Sequence, residues 1–463
     1  MQQFLAKYGL AAHLALLAVA PLFLFPFCSD AAVAATLLWL TLLAAVWCFL
    51  APSVRRGEHL HTARARVLSS VVRDPLFWVS LALAVFAGGR ALNDGVRMAY
   101  DIEKATWGLA PTAFPYYPGC VEGAGFLPFA VLLALVAVFV ATRQALGRSA
   151  RLAFLLMAAA GAGLAAVVLL VAAHAGQVAC VRLMAFPNAN ASFVGVAFGL
   201  HLLGGVAALL AAFERKWASA TLLAPLSVGG TALGAFAFAP PAFAALVAVA
   251  GLAVFGLSFV VALRNLRKQA EFRMLVVFAL ALAIGGLLAA FLMPEAALSA
   301  RLDAFARREI FPEGFLAVRR TLSDLALRAW KTSPWIGTGL GSFGLDIRFH
   351  ALAADWSVIP RGQAAVPNGG WLLLAERGIV GAALFALPLG FLVFTYVRRL
   401  VAWAKNVCLP HPACLLAPLV LVLVGLDACV GCSFLRADVL LVACAELAVA
   451  AKSFPSLEKH SNV

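Results

Sequence analysis

The apolar positions of this chain fall in long uninterrupted runs rather than in alternating or heptad patterns. Runs of about 18 or more apolar residues recur from end to end, the length that crosses a hydrocarbon core of roughly 30 Å. The pattern predicts membrane-spanning helices near 8–28, 31–52, 76–93, 125–142, 152–173, 193–213, 218–238, 242–263, 274–293, 370–396, 415–431 and 436–451. The first of these is too long for a signal-peptide core and has no small-residue cleavage site, so it is read as a span. Segments of about ten alternating residues, the mark of a membrane barrel, do not occur. In lipid only helices or closed barrels satisfy the backbone, which leaves helices.

Between the ninth and tenth predicted spans the pattern changes. The stretch ALSARLDAFARREIF mixes apolar residues at helical spacing with charges, as an interfacial helix does. GFLAVRRTLSDLALRAW continues that habit, with Leu322, Leu325, Ala329 and Trp330 on one stripe. Pro334 stops it, and PWIGTGLGSFG reads as a tight turn that brings the chain back toward the membrane. No strand precedes these glycines, so a nucleotide-binding loop is set aside. The expected fold class is an all-α polytopic membrane protein of about twelve helices with a large helical periplasmic loop. Its regions are 1–293 with nine spans, 294–369 as the loop, and 370–463 with three spans and a tail.

Composition sharpens this. The chain is 64% hydrophobic and 12% charged, with a mean hydropathy of +0.98. A soluble fold could not keep that much apolar surface from water. The net charge of +14 does not point to nucleic acid, because the basic residues are spread over short connections and form no basic domain. Every second connection is basic: Arg55, Arg56, Arg64, Arg66 and Arg73; Arg143, Arg148 and Arg151; Arg215 and Lys216; Arg264, Arg267, Lys268 and Arg273; Arg398, Arg399 and Lys405. Positive residues stay on the cytoplasmic side. Both termini are therefore expected in the cytoplasm and the large loop outside, in a bacterial inner membrane.

Charge inside a span is costly and is usually functional or paired. Arg90 and Asp94 end the third span, Glu376 and Arg377 lie just inside the tenth, and Asp427 and Arg436 flank the last turn, where they are expected to pair. Outward segments hold Arg182, Arg319 and Arg320, then Arg348, His350, Asp355 and Arg361. Guanidinium forks suit phosphate, although contact with lipid headgroups or solvent is the commoner use of such residues. A disulfide is open to Cys120 and Cys180 on an oxidising side. Cys429 and Cys432 have no redox-fold context, and Cys408, His411 and Cys414 lack a fourth ligand, so no metal is expected.

The segment VPNGGWLLLAERGIVGAALF resembles the O-antigen ligase and O-antigen polymerase superfamily. Asn368 is followed by nine residues and then by Gly378 and Gly381 of the family's G-x-x-G, and Glu376 falls where the family commonly has a glutamate. RRTLSDLALRAWKTSPWIGTGLGSF is similar to the family's arginine-led helix and P-x-x-G-x-G turn, with Pro334, Gly337 and Gly339 in register. VRLMAFPNANASFVG looks like its arginine and Asn-Pro segment. The resemblance implies transfer of a glycan from an undecaprenyl-pyrophosphate carrier to a sugar hydroxyl, on lipid A–core or on another carrier-linked unit. No cofactor is implied, since pyrophosphate is already a good leaving group. Arg182, Arg319 and Arg320 are the implied pyrophosphate holders.

Two positions depart from the family. Pro367 stands where the ligases have histidine, and Pro240 and Pro241 stand where an arginine is usual. His350, the histidine of the large loop, and Glu376 become the candidate proton acceptors, with His174 and Asp355 behind them. A non-catalytic binder of lipid-linked glycan is the alternative within the family. A secondary transporter is the alternative outside it, and the sequence offers no interrupted span with paired intramembrane acids to support one.

Overall fold

The computed structural model describes residues 2–50, 52, 58–101, 106–109, 114, 119–121, 124–175, 189–214, 218–239, 243–252, 255–256, 268–293, 295–307, 315–359, 368–404, 414, 416–430 and 435–453. Among them the chain is overwhelmingly helical. Eight helices are long and apolar enough to cross a membrane: Asp30–Leu50, Pro75–Leu92, Phe126–Ala145, Arg148–His174, Gly195–Phe213, Ala220–Phe238, Arg273–Leu292 and Gly369–Val401. Shorter apolar helices lie at Tyr8–Leu24, Phe243–Leu252 and Leu416–Cys429, and the last described helix is Ala437–Ser453.

The helices pack through small residues. Among lipid-solvated helices there is little hydrophobic drive to associate, so close backbone approach supplies the contact. The Arg148–His174 helix buries alanine after alanine against its neighbours. A side-chain carbon at its Gly163 would overlap the carbonyl of Leu226. Leu226 belongs to a π-helical stretch, Pro225–Gly230, that interrupts the seventh predicted span between Ala218–Ala224 and Thr231–Phe238. A second π-helical turn, Ala141–Ala145, ends the Phe126–Val140 helix.

Three features lie outside the sequence reading. Leu60–Val72, taken as a basic connection, is a helix that leaves Leu60, Leu68 and Val72 exposed. The connection after Pro75–Leu92 carries short strands. Asp94–Val96 pairs in parallel with Cys120–Val121, and Met98–Asp101 pairs antiparallel with Thr106–Leu109. Finally, the tenth predicted span, 370–396, lies within a longer helical segment. The Gly369–Ala404 helix has 36 residues, roughly 54 Å at 1.5 Å per residue. That exceeds a hydrocarbon core, and the helix is broken at Gly378.

The large loop makes its own small core. Glu295–Ala306 opens it, and Phe315–Thr332, hereafter the loop helix, follows. Two short helices, Phe343–His350 and Ala353–Val358, complete the described part. Leu322, Leu325, Ala326 and Ala329 of the loop helix pack with Phe343, Ile347, Ile359 and Ala375. Ala375, Trp371 and Leu372 belong to the segment before the Gly378 break, so the start of the broken helix is part of the loop core.

Candidate functional site

The site is built on the break. At Gly378 the backbone takes φ 65° and ψ −173°, a region essentially closed to side-chain-bearing residues. The turn strips helix carbonyls of their partners, and buried carbonyls must find others. The glycine turn at 334–342 supplies them. The Thr338 amide donates to the Ala375 carbonyl at 2.9 Å and the Gly339 amide to the Glu376 carbonyl at 3.1 Å. In return, the Ile379 amide donates to the Pro334 carbonyl at 2.9 Å and the Val380 amide to the Trp335 carbonyl at 3.0 Å. Two chain segments about forty residues apart are thus joined main chain to main chain.

Glycine is required on both sides of this joint. Gly337 has φ +72°, and a carbon added to it would lie 2.4 Å from the Glu376 carbonyl carbon. One added to Gly378 would lie 2.4 Å from the carbonyl carbon of Trp335. Beneath the joint sits Arg90, fully buried, its face over the Phe86 ring at 4.6 Å. Its Nη1 donates to the Glu376 carbonyl at 2.7 Å and its Nη2 to the Ile336 carbonyl. A third segment closes the other flank. The Leu340 amide donates to the Gly119 carbonyl at 3.1 Å, and the Val121 amide to the Leu340 carbonyl at 3.0 Å. The Cys120 thiol donates to Asp94 Oδ1 at 3.3 Å.

A polar cluster hangs from the turn. The Glu376 carboxylate accepts the backbone N–H groups of Gly341 and Phe343, and the residue as a whole is half-buried. Asp346 lies near it and is buried. Ser342 Oγ reaches Asp346 Oδ2 at 3.3 Å and the Gly339 carbonyl at 2.8 Å, and stands 2.7 Å from Thr338 Oγ1. Burial pushes the Asp346 carboxyl above the usual carboxylate range, while hydrogen bonds from Thr338 and Ser342 and the nearby His350 pull it down. His350 follows one turn later on the same helix and is partly exposed. Its carbonyl accepts from Arg328 Nη1 at 2.9 Å.

The residues singled out from sequence divide accordingly. Glu376, Gly337, Gly339 and Gly378 meet at the joint. Gly381 lies one turn below it, where an added carbon would press on Phe86. Asn368 caps the broken helix, its Oδ1 accepting the Trp371 amide at 3.1 Å. Asp355 is engaged structurally, bound to Arg328 Nη1 at 3.1 Å and to the Leu352 amide at 2.8 Å. Arg319 faces the loop core at 9% exposure, whereas neighbouring Arg320 points to the exposed side of the loop helix. His174 is exposed at the end of its helix, away from any contact named above. Arg182, Pro240, Pro241, Arg361 and Pro367 lie outside the described residues, as do Cys180, Cys408, His411 and Cys432. Among the described residues, no three His, Cys, Asp or Glu side chains gather as a metal site.

No family model matches the chain, and no curated protein matches it. Its chemistry is therefore argued from its own residues.

Several of those residues escaped the sequence reading. Arg90, singled out only as a charge ending the third span, ties together two backbone segments. Asp346, Ser342 and Thr338 were passed over, although Ser342, Asp346 and His350 follow one another at helical spacing of four. Arg436 pairs with Asp438 at 3.2 Å and lies over the Phe25 ring at 4.7 Å. Inside the bundle, His201 and Glu446 are both about 1% exposed; among the described residues His201 Nε2 meets no hydrogen-bond partner, and the Glu446 carboxylate lies against the Gly204 backbone.

Proposed function

We propose that this protein is an O-antigen ligase-like glycosyltransferase of the bacterial cell envelope. Its donor is a glycan on an undecaprenyl-pyrophosphate carrier, and its acceptor is a sugar hydroxyl on lipid A–core or on a growing glycan. The observation that carries the reading is the joint itself. The P-x-x-G-x-G turn and the Glu376-to-Gly381 segment, each of which resembles the family on its own, lie in main-chain contact and set the half-buried Glu376 at the loop end of the bundle.

In this reading Glu376 takes the proton of the acceptor hydroxyl as that oxygen bonds to the anomeric carbon. The bond from that carbon to the pyrophosphate oxygen breaks, and undecaprenyl pyrophosphate leaves with its electron pair. Two backbone N–H groups hold the carboxylate in place, and Asp346, Ser342 and Thr338 buttress the turn that offers them. His350, at the end of the Phe343–His350 helix that packs on the turn, is the second proton acceptor. Arg320 and Arg182 stabilise the leaving pyrophosphate by charge-assisted hydrogen bonds. Arg319, on the core side, orients the loop helix.

The test is transfer of radiolabelled carrier-linked glycan by the purified chain in lipid vesicles. Glu376→Gln should abolish transfer while leaving donor retention intact, and Arg320→Ala should weaken donor retention. Retention without transfer by the unaltered chain would make it a binder, and transfer undiminished in Glu376→Gln would remove the carboxylate from the chemistry.

A second reading, a secondary transporter, draws on Glu446 and His201 buried in the bundle and on the π-helical interruption at Pro225–Gly230. Ion-gradient-driven uptake into proteoliposomes, lost in Glu446→Gln, would favour it over the transferase.

A further inference from the structure

The opposite end of the bundle holds a second concentration of charge that the transferase reading does not use. Asp74 caps the Pro75–Leu92 helix there, accepting the Leu76 amide at 3.1 Å. It lies roughly 24 Å along that helix from Arg90. Arg143 closes on it, Nε to Oδ2 at 3.0 Å and Nη2 to Oδ1 at 3.5 Å, and Gln144 Nε2 adds a bond to Oδ2 at 2.8 Å. The Arg143 and Asp74 side chains are 9% and 8% exposed. Among the described residues, Arg143 Nη1 is buried with no hydrogen-bond partner.

Three more cations crowd this pair. Arg151 donates from Nε to the Thr142 carbonyl at 2.8 Å and from Nη1 to the Lys452 carbonyl at 3.4 Å. Arg399 Nη1 donates to the Ala451 carbonyl. Lys452 lies close enough to Arg143, Arg151 and Arg399 to be repelled by all three. Capping the last carbonyls of the Ala437–Ser453 helix explains where Arg151 and Arg399 sit. It does not explain four cations around one carboxylate, nor a buried guanidinium nitrogen with nothing to donate to. Like charges this close repel strongly in a low dielectric, and a bound anion removes that cost.

We propose that Arg143, Arg151, Arg399 and Lys452 form a binding site for a phosphate group, with Arg143 Nη1 as its innermost donor. Guanidinium forks and an ammonium together match the oxygens of a phosphodiester or of free phosphate. The surroundings favour the phosphodiester of an anionic lipid, because Arg143, Arg151 and Arg399 lie at ends of membrane-spanning helices, where lipid headgroups gather.

The experiment uses the full chain, delipidated in detergent and offered phosphatidylglycerol, phosphatidylcholine or inorganic phosphate, with retention read by native mass spectrometry and stabilisation by thermal unfolding. Phosphatidylglycerol should be retained about tenfold over phosphatidylcholine, and Arg143→Gln and Lys452→Gln should each cut that preference by about tenfold. Because Arg143→Gln strands Asp74, the double variant Asp74→Asn, Arg143→Gln is measured beside it. Stabilisation by inorganic phosphate without a lipid preference, lost in the same variants, upholds the site and assigns it to free phosphate. Equal retention of both lipids with no response to phosphate overturns the proposal, as does an unchanged preference in Lys452→Gln and the double variant.

Discussion

Gly378→Ala tests the joint at the loop end of the bundle. Alanine at φ 65° and ψ −173° costs about 1–3 kcal/mol in backbone strain. Its methyl carbon would also lie 2.4 Å from the Trp335 carbonyl carbon and oxygen and 2.5 Å from the Gly337 nitrogen. Those atoms are main chain on a turn anchored at Ala375, Glu376 and Gly119, so they cannot swing aside as a side chain would. Overpacking of this kind adds about 1–3 kcal/mol. The lower bound of the sum, about 2 kcal/mol, corresponds to a roughly thirtyfold loss of protection. Hydrogen exchange followed by mass spectrometry reads it at the amides of Thr338, Gly339, Ile379 and Val380, which cross the joint. Amides in the Arg148–His174 helix should be unaffected, since the turn can undock without opening the bundle. Gly390→Ala, in the same helix with open space around it, is the control and should leave exchange unchanged or slower. Wild-type protection at Thr338 and Val380 in Gly378→Ala would refute the claim that the glycine is required by this contact.

Arg90→Met should destabilise the protein by about 1–3 kcal/mol, because the Ile336 carbonyl loses its guanidinium donor while that of Glu376 keeps the Gly339 amide; a thermal melt within a degree or two of wild type would contradict this. Asp346 contributes with the opposite sign to a paired carboxylate. Its folded pKa is raised above 3.8, so the native state binds the extra proton and stability declines as pH climbs from that value through the raised one. Asp346→Asn should flatten that decline in denaturant titrations at stepped pH, and an unaltered pH profile would show that burial does not govern the group. Glu446→Met should leave stability unchanged or raise it by about 1–3 kcal/mol, because the carboxylate is buried with little beyond the Gly204 backbone to satisfy it among the described residues, and Gly204 leaves room for the side chain. A marked loss of stability on detergent denaturation would mean that the carboxylate is satisfied in the native bundle.

The spans were legible because a run of about eighteen apolar residues has few other uses. Elements without that signal were misread or unseen. Leu60–Val72 carries Arg64 and Arg66 among its apolar positions, so its charges spoke for a connection while its periodicity spoke for a helix. Asp94–Val96 and Cys120–Val121 are too short for alternation to register, and they pair only because the intervening chain returns to the same place. The π-helical stretch at Pro225–Gly230 has no pattern of its own. It follows from the close approach of Gly163, Gly229 and Gly285, which is a property of three helices together.

The candidate site shows where reading by motif stops and physical explanation begins. Gly337, Gly339 and Gly378 could be picked out by their spacing, but the spacing does not say that they touch. From 370 to 396 the chain reads as one apolar helix, because a break made by a single φ/ψ choice at Gly378 leaves the hydrophobic pattern intact on either side. Once the break exists, the rest is forced. The freed carbonyls need donors, the turn brings the Thr338 and Gly339 amides, and the remaining demand is met by a charge that must be buried to reach it. Arg90 was visible as an expensive residue at the end of a span, and its expense was the clue. A fully buried guanidinium persists in such a place only where its hydrogen bonds are made, and these two are made to segments that only the folded chain brings together. The main-chain carbonyl of Glu376 is one end of these contacts and its carboxylate rests on the same glycine turn, so a change that loosens Arg90 should also release the residue proposed to take the acceptor's proton.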